Sequence, residues 1–278
     1  EASGDAERIC LAHHHRFASR VERGAHDLAL ADVAAADDAA GKLRRVRYLH
    51  AIHVRAVNVA TWLGRFEEAD GHCDQAEALR QHRSEDIGFL VGAAQRFTLA
   101  RLRGQHKALT DILRAGIAAF PGSAGFEAAS CLIAYEIGDH ERARLELATF
   151  WQGEELVMRG DMLDILKLVH IGEVTAALGT DAQARRCYAM LLPSDGRIGV
   201  LESVTTIGSI SRVLGLLAER LGEADAAEAH LRLGLEVEMS LRARPWEAYS
   251  RRDLGAFLDH QGRVDEAVEE QNRSAEIA

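Results

Sequence analysis

Proline is almost missing from this sequence of 278 residues, which has Pro121, Pro193 and Pro245 and no others. Few breakers, together with Ala and Leu throughout, favour helix from end to end. We see no strand-length run of Val, Ile and Thr between turn signals, so a β-sheet fold is set aside. Aromatic residues make up 5% of the chain, too few for the stacked clefts that sugar-cleaving helical barrels use. Cys10, Cys73, Cys131 and Cys187 are far apart, with no Cys-x-x-Cys. Nothing in that spacing suggests a secreted disulfide scaffold, and buried free thiols in a reducing cytoplasm are expected. No apolar run approaches the roughly 20 residues that cross a bilayer, and no signal peptide opens the chain. Lysine is confined to Lys42, Lys107 and Lys167 against thirty arginines, a bias that GC-rich bacterial codons produce.

Chemistry-bearing motifs are missing too. There is no Gly-x-x-x-x-Gly-Lys-Ser/Thr, since Gly41-Lys42 runs into Leu43, and no Gly-x-Gly-x-x-Gly, His-Glu-x-x-His or Gly-x-Ser-x-Gly. His13-His14-His15 point about 100° apart on a helix and cannot share a metal. Cys10 with His14, and His50 with His53, share a helical face, but two ligands do not make a site. The expectation is therefore no catalytic residues, no metal, no cofactor and no enzyme activity for this chain. A net charge of −10 spread along the sequence argues against direct nucleic-acid binding. The basic group Lys42, Arg44, Arg45 and Arg47 reads as a solvated helix start. Glu1 in place of an initiating Met suggests a segment of something longer.

What the sequence does have is a register. Glycines at 24, 64, 104, 138, 179, 222 and 262 are each followed five residues later by Ala29, Ala69, Leu109, Ala143, Ala184, Ala227 and Ala267. Nine residues on stand Val33, Cys73, Leu113, Leu147, Tyr188, Leu231 and Gln271, apolar in six positions of seven. Gly ends one helix in the left-handed conformation, and the small residue five later permits a close hairpin. The positions five and nine after the Gly are one turn apart and face the same core. Seven residues before the turn, Gly172, Gly215 and Gly255 again allow close packing.

This pattern resembles the tetratricopeptide repeat over essentially the whole chain, although most spacings are 40–43 residues where the family norm is 34. The second half resembles more narrowly the C-terminal repeat region of bacterial signal-transduction ATPases that carry LuxR-type DNA-binding or nucleotide-cyclase modules. The residues concerned are Leu214-Gly215-Leu216-Leu217-Ala218, Leu221-Gly222, Ala229-His230-Leu231 and Ala243-Arg244-Pro245-Trp246-Glu247-Ala248. The Asp161-Met162-Leu163 helix start and the Gly138 and Gly179 repeats agree with that. The resemblance implies an all-α, right-handed solenoid forming one domain over 1–278, with about fourteen helices in seven hairpins. It implies a cytoplasmic sensor or interaction arm whose partners are a protein or peptide, a small-molecule inducer, or the ATPase and output domains of the same protein. A stand-alone adaptor is the alternative, and an α/α-barrel hydrolase is a third.

First-of-pair helices are expected over 5–22, 44–62, 86–102, 124–137, 161–177, 200–220 and 245–260, with Pro245 in a first helical turn. In the family these helices line the concave face. Carrying that over, ten residues before each of the six turn glycines from Gly64 onward stand Val54, Ala94, Ala128, Val169, Arg212 and Arg252. The resemblance further places Asn58, Thr98, Leu132, Glu173, Leu216 and Ala256 six residues before it, and Thr61, Arg101, Tyr135, Ala176, Glu219 and Asp259 three before it. The candidate binding residues are Asn58, Thr61, Arg101, Tyr135, Ser209, Arg212, Tyr249, Arg252 and Asp259. Arg212 and Arg252 would grip a carboxylate or phosphate, or pair with Glu219, Asp253 or Asp259. No Asn follows four residues after either arginine, a departure from the family's peptide-carboxylate clamp. Trp62, Trp151 and Trp246 read as packing residues.

Overall fold

The computed structural model describes residues 2–80, 86–160 and 163–277; Asp161 and Met162 of the expected helix start lie outside them. Among these residues the chain forms fourteen α-helices: α1 (Ala2–Glu22), α2 (His26–Leu43), α3 (Val46–Trp62), α4 (Phe66–Arg80), α5 (Asp86–Leu102), α6 (His106–Ala119), α7 (Ala124–Glu136), α8 (His140–Ala148), α9 (Asp164–Leu178), α10 (Asp181–Leu191), α11 (Ile210–Arg220), α12 (Ala224–Leu241), α13 (Arg244–His260) and α14 (Val264–Ile277). Each odd-numbered helix forms a hairpin with the next, and successive hairpins pack in chain order. None of the helices is long and apolar enough to cross a membrane.

The turns follow from the glycines. Six of the seven have φ between 63° and 81°. At Gly64 the amide of Arg65 donates to the Ala60 carbonyl at 2.8 Å, and at Gly222 that of Glu223 donates to Ala218 at 2.9 Å. These six-to-one bonds satisfy carbonyls left over at the helix end. Gly179 differs, with φ −79° and ψ 179°; α10 begins there on a capping box between Thr180 and Gln183. Its small size is needed for another reason, because a Cβ would stand 2.8 Å from the Thr175 carbonyl oxygen. All seven residues five positions after the glycines are buried, Ala29, Ala69, Leu109, Ala143, Ala184, Ala227 and Ala267. Gly215 and Gly255 meet the backbone at two of them: a Cβ on either would lie 3.1–3.2 Å from the carbonyl oxygen of Ala227 or Ala267.

The structure corrects the sixth repeat. The sequence predicts a helix over 200–220, but α11 begins only at Ile210, and 198–209 form an antiparallel hairpin, β3 (Ile198–Leu201) and β4 (Thr205–Ser209), with Val200 opposite Thr206 and an irregularity between Ile198 and Val200. A smaller hairpin, β1 (Trp151–Gln152) with β2 (Glu155–Leu156), follows α8. All nine residues of β3 and β4 are buried. A strand covered on both faces shows no alternation, so the sequence has no period-two signal to betray it.

This hairpin sits inside the array of first-of-pair helices, on a side where the two ends of the chain come together. Phe17, Val21, Ala29 and Trp62 from the first two hairpins share one cluster with Ile198 and Val200 of β3 and with Leu241, Ala243 and Trp246 of the last two. His26 Nδ1 lies 2.8 Å from the Leu241 carbonyl oxygen. Gly24 is so close to α12 that a Cβ would be 3.0 Å from the Val237 oxygen. The array therefore closes on itself.

Candidate functional site

The inward faces of α5, α7, α9, α11 and α13 converge on a buried ion network. Arg101 of α5 reaches Glu136 of α7 and Glu173 of α9, both at 2.9 Å. Arg212 of α11 lies 2.8 Å from the same Glu173 oxygen and 2.6 Å from Asp253 of α13. Arg252 turns back on Asp253 at 2.7 Å and lies over the Tyr249 ring at 4.6 Å. Arg101 and Arg212 are each 1% exposed. Burial works against their charge, yet the facing carboxylates outweigh it and raise both guanidinium pKa values. Burial pushes Glu173 up, but Arg101 and Arg212 overcome this and hold its carboxyl well below the usual range.

Two cavities adjoin this network. A polar one of about 500 Å³, at the C-terminal ends of α5 and α7, is lined by Arg101, Tyr135, Glu136, Glu173, Arg212, Tyr249, Arg252 and Asp253. Towards the N-terminal ends lies an apolar one of about 420 Å³, walled by Leu90, Ala94 and Phe97 of α5, Phe126 and Ala129 of α7, Leu163 and Leu166 near the start of α9, and Leu201 and Val204 of the β3–β4 turn. His170 forms part of its wall, 1% exposed, with Nδ1 lacking a hydrogen-bond partner. Burial, reinforced by Arg101, pushes its pKa down to about 3, so the ring is neutral.

Of the nine candidate residues, Arg101, Tyr135, Arg212, Tyr249 and Arg252 are brought to the polar cavity. The two arginines paired in the sequence reading do lie on neighbouring helices, and Asp253 is what holds both. Asn58 is buried and donates to the Ser203 carbonyl oxygen at 3.2 Å, so it serves the β-hairpin. Thr61 bonds back to Val57 within its own helix. Ser209 is not on a helix but at the end of β4, where its amide donates to Glu238 at 2.8 Å. Asp259 is exposed and apart from both cavities. Trp62 and Trp246 pack in the closing cluster, while Trp151 stands in β1, against the core of α7–α11.

Three functional-looking side chains escaped the sequence reading. His170 lies among Leu166, Leu168, Val169, Ile171 and Val174, one turn before Glu173, a polar residue where the helix period demands core. Gln95 donates to both the Val54 oxygen at 2.8 Å and the Val204 oxygen at 2.9 Å, tying α3, α5 and the β-hairpin together. Glu238 is fully buried, and its pKa is pushed up to about 8 by burial, with only partial relief from Ser250 and Arg212. His53 and His72 approach to 3.0 Å, but among the described residues no group of three or more His, Cys, Asp or Glu could hold a metal ion. No protein-family model matches this chain, and no curated protein matches it.

Proposed function

We propose that this chain is a non-catalytic, tetratricopeptide-like sensor region, the regulatory part of a multidomain ATP-dependent signalling or transcriptional protein, and that its signal is a small molecule held inside the closed array. The observation that carries this reading is the occupied concave face. Groove positions that contact an extended peptide in an open repeat array are here engaged with the chain itself: Asn58 on Ser203, and Thr98 on Thr205 at 3.0 Å. Beside these contacts lie two cavities of small-molecule size. A stand-alone adaptor that grips a peptide along that face has no free row of contacts, and the sensor reading is preferred.

The test is made on the longer protein. Its reading frame is expected to encode a phosphate-binding loop of the Gly-x-x-x-x-Gly-Lys-Ser/Thr kind, and removing 1–278 is expected to change ATP turnover severalfold. A gene that encodes these residues alone, or turnover indifferent to their removal, would overturn the proposal.

Closure of the array, with Glu136, Glu173 and Asp253 facing one cavity, favours a second reading as an α/α-barrel hydrolase. Glycosidic chemistry needs one carboxyl of raised pKa as general acid. Glu173 is held low instead, and Asp253 is shared by two arginines. Glu238, whose pKa is raised, lines neither cavity. No release of nitrophenol from a panel of nitrophenyl glycosides is the expected outcome, and turnover lost in Glu173→Gln would revive the hydrolase.

A further inference from the structure

The apolar cavity has a composition that specifies its guest. Its wall is mostly hydrocarbon and aromatic ring from α5, α7 and α9, with Thr98 and Ser123 the hydroxyl-bearing residues among them, and it is closed on one side by Leu201 and Val204. Two side chains with a titratable group reach it: His170, buried, and Glu202, exposed at the β3–β4 turn. An anionic group carried into such a wall would lose its hydration with no cation to meet it, and the one carboxylate, Glu202, stands at the exposed rim and not within the wall. The ion pairs beneath are already matched among themselves, Arg101 with Glu136 and Glu173, Arg212 with Glu173 and Asp253. His170 Nδ1, like Glu173 Oε1 and Arg212 Nε in the network, is a buried polar atom without a hydrogen-bond partner, and of these three side chains it is the His170 ring that forms part of the apolar wall. Buried polar atoms are satisfied in nearly all proteins, and each that is not calls for an explanation.

We infer that this cavity binds one uncharged, mainly apolar molecule that carries a hydroxyl or carbonyl group, placed to hydrogen-bond His170 Nδ1. Size follows from the volume: an apolar cavity of ~150 Å³ holds one benzene ring, so about 420 Å³ accommodates roughly fifteen to eighteen non-hydrogen atoms on the same scale. A hydroxyl suits either tautomer of the ring, since it both donates and accepts. Phe97, whose ring centroid is 5.9 Å from that of His170, lines the same wall and offers an aromatic guest a stacking or edge contact. Leu201 and Val204 line the cavity, and Val204 is bonded through Gln95 to α3. Occupancy is thereby transmitted to the seam where the chain's two ends meet. The inference deepens the sensor reading and rests on it for its biological purpose, while the binding itself is measured separately.

The test uses 2-naphthol, naphthalene and 2-naphthoate as probes, followed by their own fluorescence and by calorimetry on the intact chain. The expected result is one molecule of 2-naphthol per chain, bound roughly five- to tenfold more tightly than naphthalene, the range of one neutral hydrogen bond, with the naphthoate anion at least tenfold weaker than the alcohol. His170→Phe should erase the preference for the alcohol over naphthalene while leaving naphthalene bound. Ala94→Trp, which fills the cavity, should abolish binding of all three probes with an unchanged helical circular-dichroism spectrum; Leu90→Trp is the second blocking variant should the first not fold. Equal or tighter binding of the anion, a preference that survives His170→Phe, binding indifferent to both blocking variants, or no binding of any probe at millimolar concentration each overturns the inference. Probe binding with ATP turnover of the longer protein unaffected by removal of 1–278 would instead overturn the sensor reading and leave this site standing.

Discussion

Glu173 is the residue on which the interior turns. One carboxylate serves Arg101 and Arg212, both fully buried, and neither arginine can shed its charge. Glu173→Ala would leave two guanidinium groups competing for Glu136 and Asp253, and a loss of about 3–5 kcal/mol in urea unfolding is expected. Two other buried groups set the dependence on pH, and their signs are opposite. The Glu238 carboxyl has its pKa raised from 4.5 to about 8, so the folded state keeps a proton that the unfolded chain releases. Its contribution is whole below about pH 4.5 and is lost as pH rises towards about 8. His170 has its pKa lowered from 6.5 to about 3, so its contribution is whole above about pH 6.5 and is lost as pH falls towards about 3. Where the two ranges overlap, between about pH 4.5 and 6.5, the two oppose each other. Glu238→Gln is expected to raise the Tm at pH 8 by a few degrees and to flatten the alkaline decline, and His170→Phe to soften the acidic one. Thermal unfolding followed from pH 4 to 9 checks both; an alkaline decline that is unchanged in Glu238→Gln would refute the assignment.

At the scale of the element, glycines at turns and glycines at helix contacts fail for different reasons. Gly222 has φ +77° with open space around its missing Cβ, so Gly222→Ala meets backbone strain alone, about 1–2 kcal/mol. Gly215 has helical backbone but would put a Cβ 2.6 Å from Leu231 Cγ, so Gly215→Val meets a packed neighbour and is expected to cost roughly 3 kcal/mol. Denaturant midpoints of the two variants separate the cases. These elements were legible because turn geometry and small-residue spacing are local properties: the glycine at 64 and the alanine at 69 announce a helical hairpin without help from the rest of the chain. The β3–β4 hairpin was not, since its residues earn their conformation from what surrounds them. Thr205 finds Thr98, Thr206 finds the Trp246 indole, and Ser209 finds Glu238, all far away in sequence. The same holds for the candidate site. Spacing from the turn brought out Arg101, Glu173, Arg212 and Arg252 together, but not the side chains of Glu136, His170 or Gln95, whose roles depend on how far successive hairpins rotate.

The whole molecule is held shut by contacts between its beginning and its end. Trp246 is 1% exposed, sits in the cluster with Phe17 and Trp62, and donates to Thr206 at 3.3 Å. Trp246→Ala should remove about 3–5 kcal/mol and, more tellingly, speed amide hydrogen exchange in α1 and α3, far away in sequence, before it does so in α8 or α10. Exchange that rises only in α12–α14 would mean that the two ends are not coupled. In this hoop the β-hairpin plays the part of a spoke, braced on α3 and α5 through Gln95 and on α13 through Trp246. A coil with loose ends relieves internal pressure by lengthening. A hoop fastened across its own gap must widen every joint or burst at the clasp, so a guest pressing on the spoke is felt all the way round the rim.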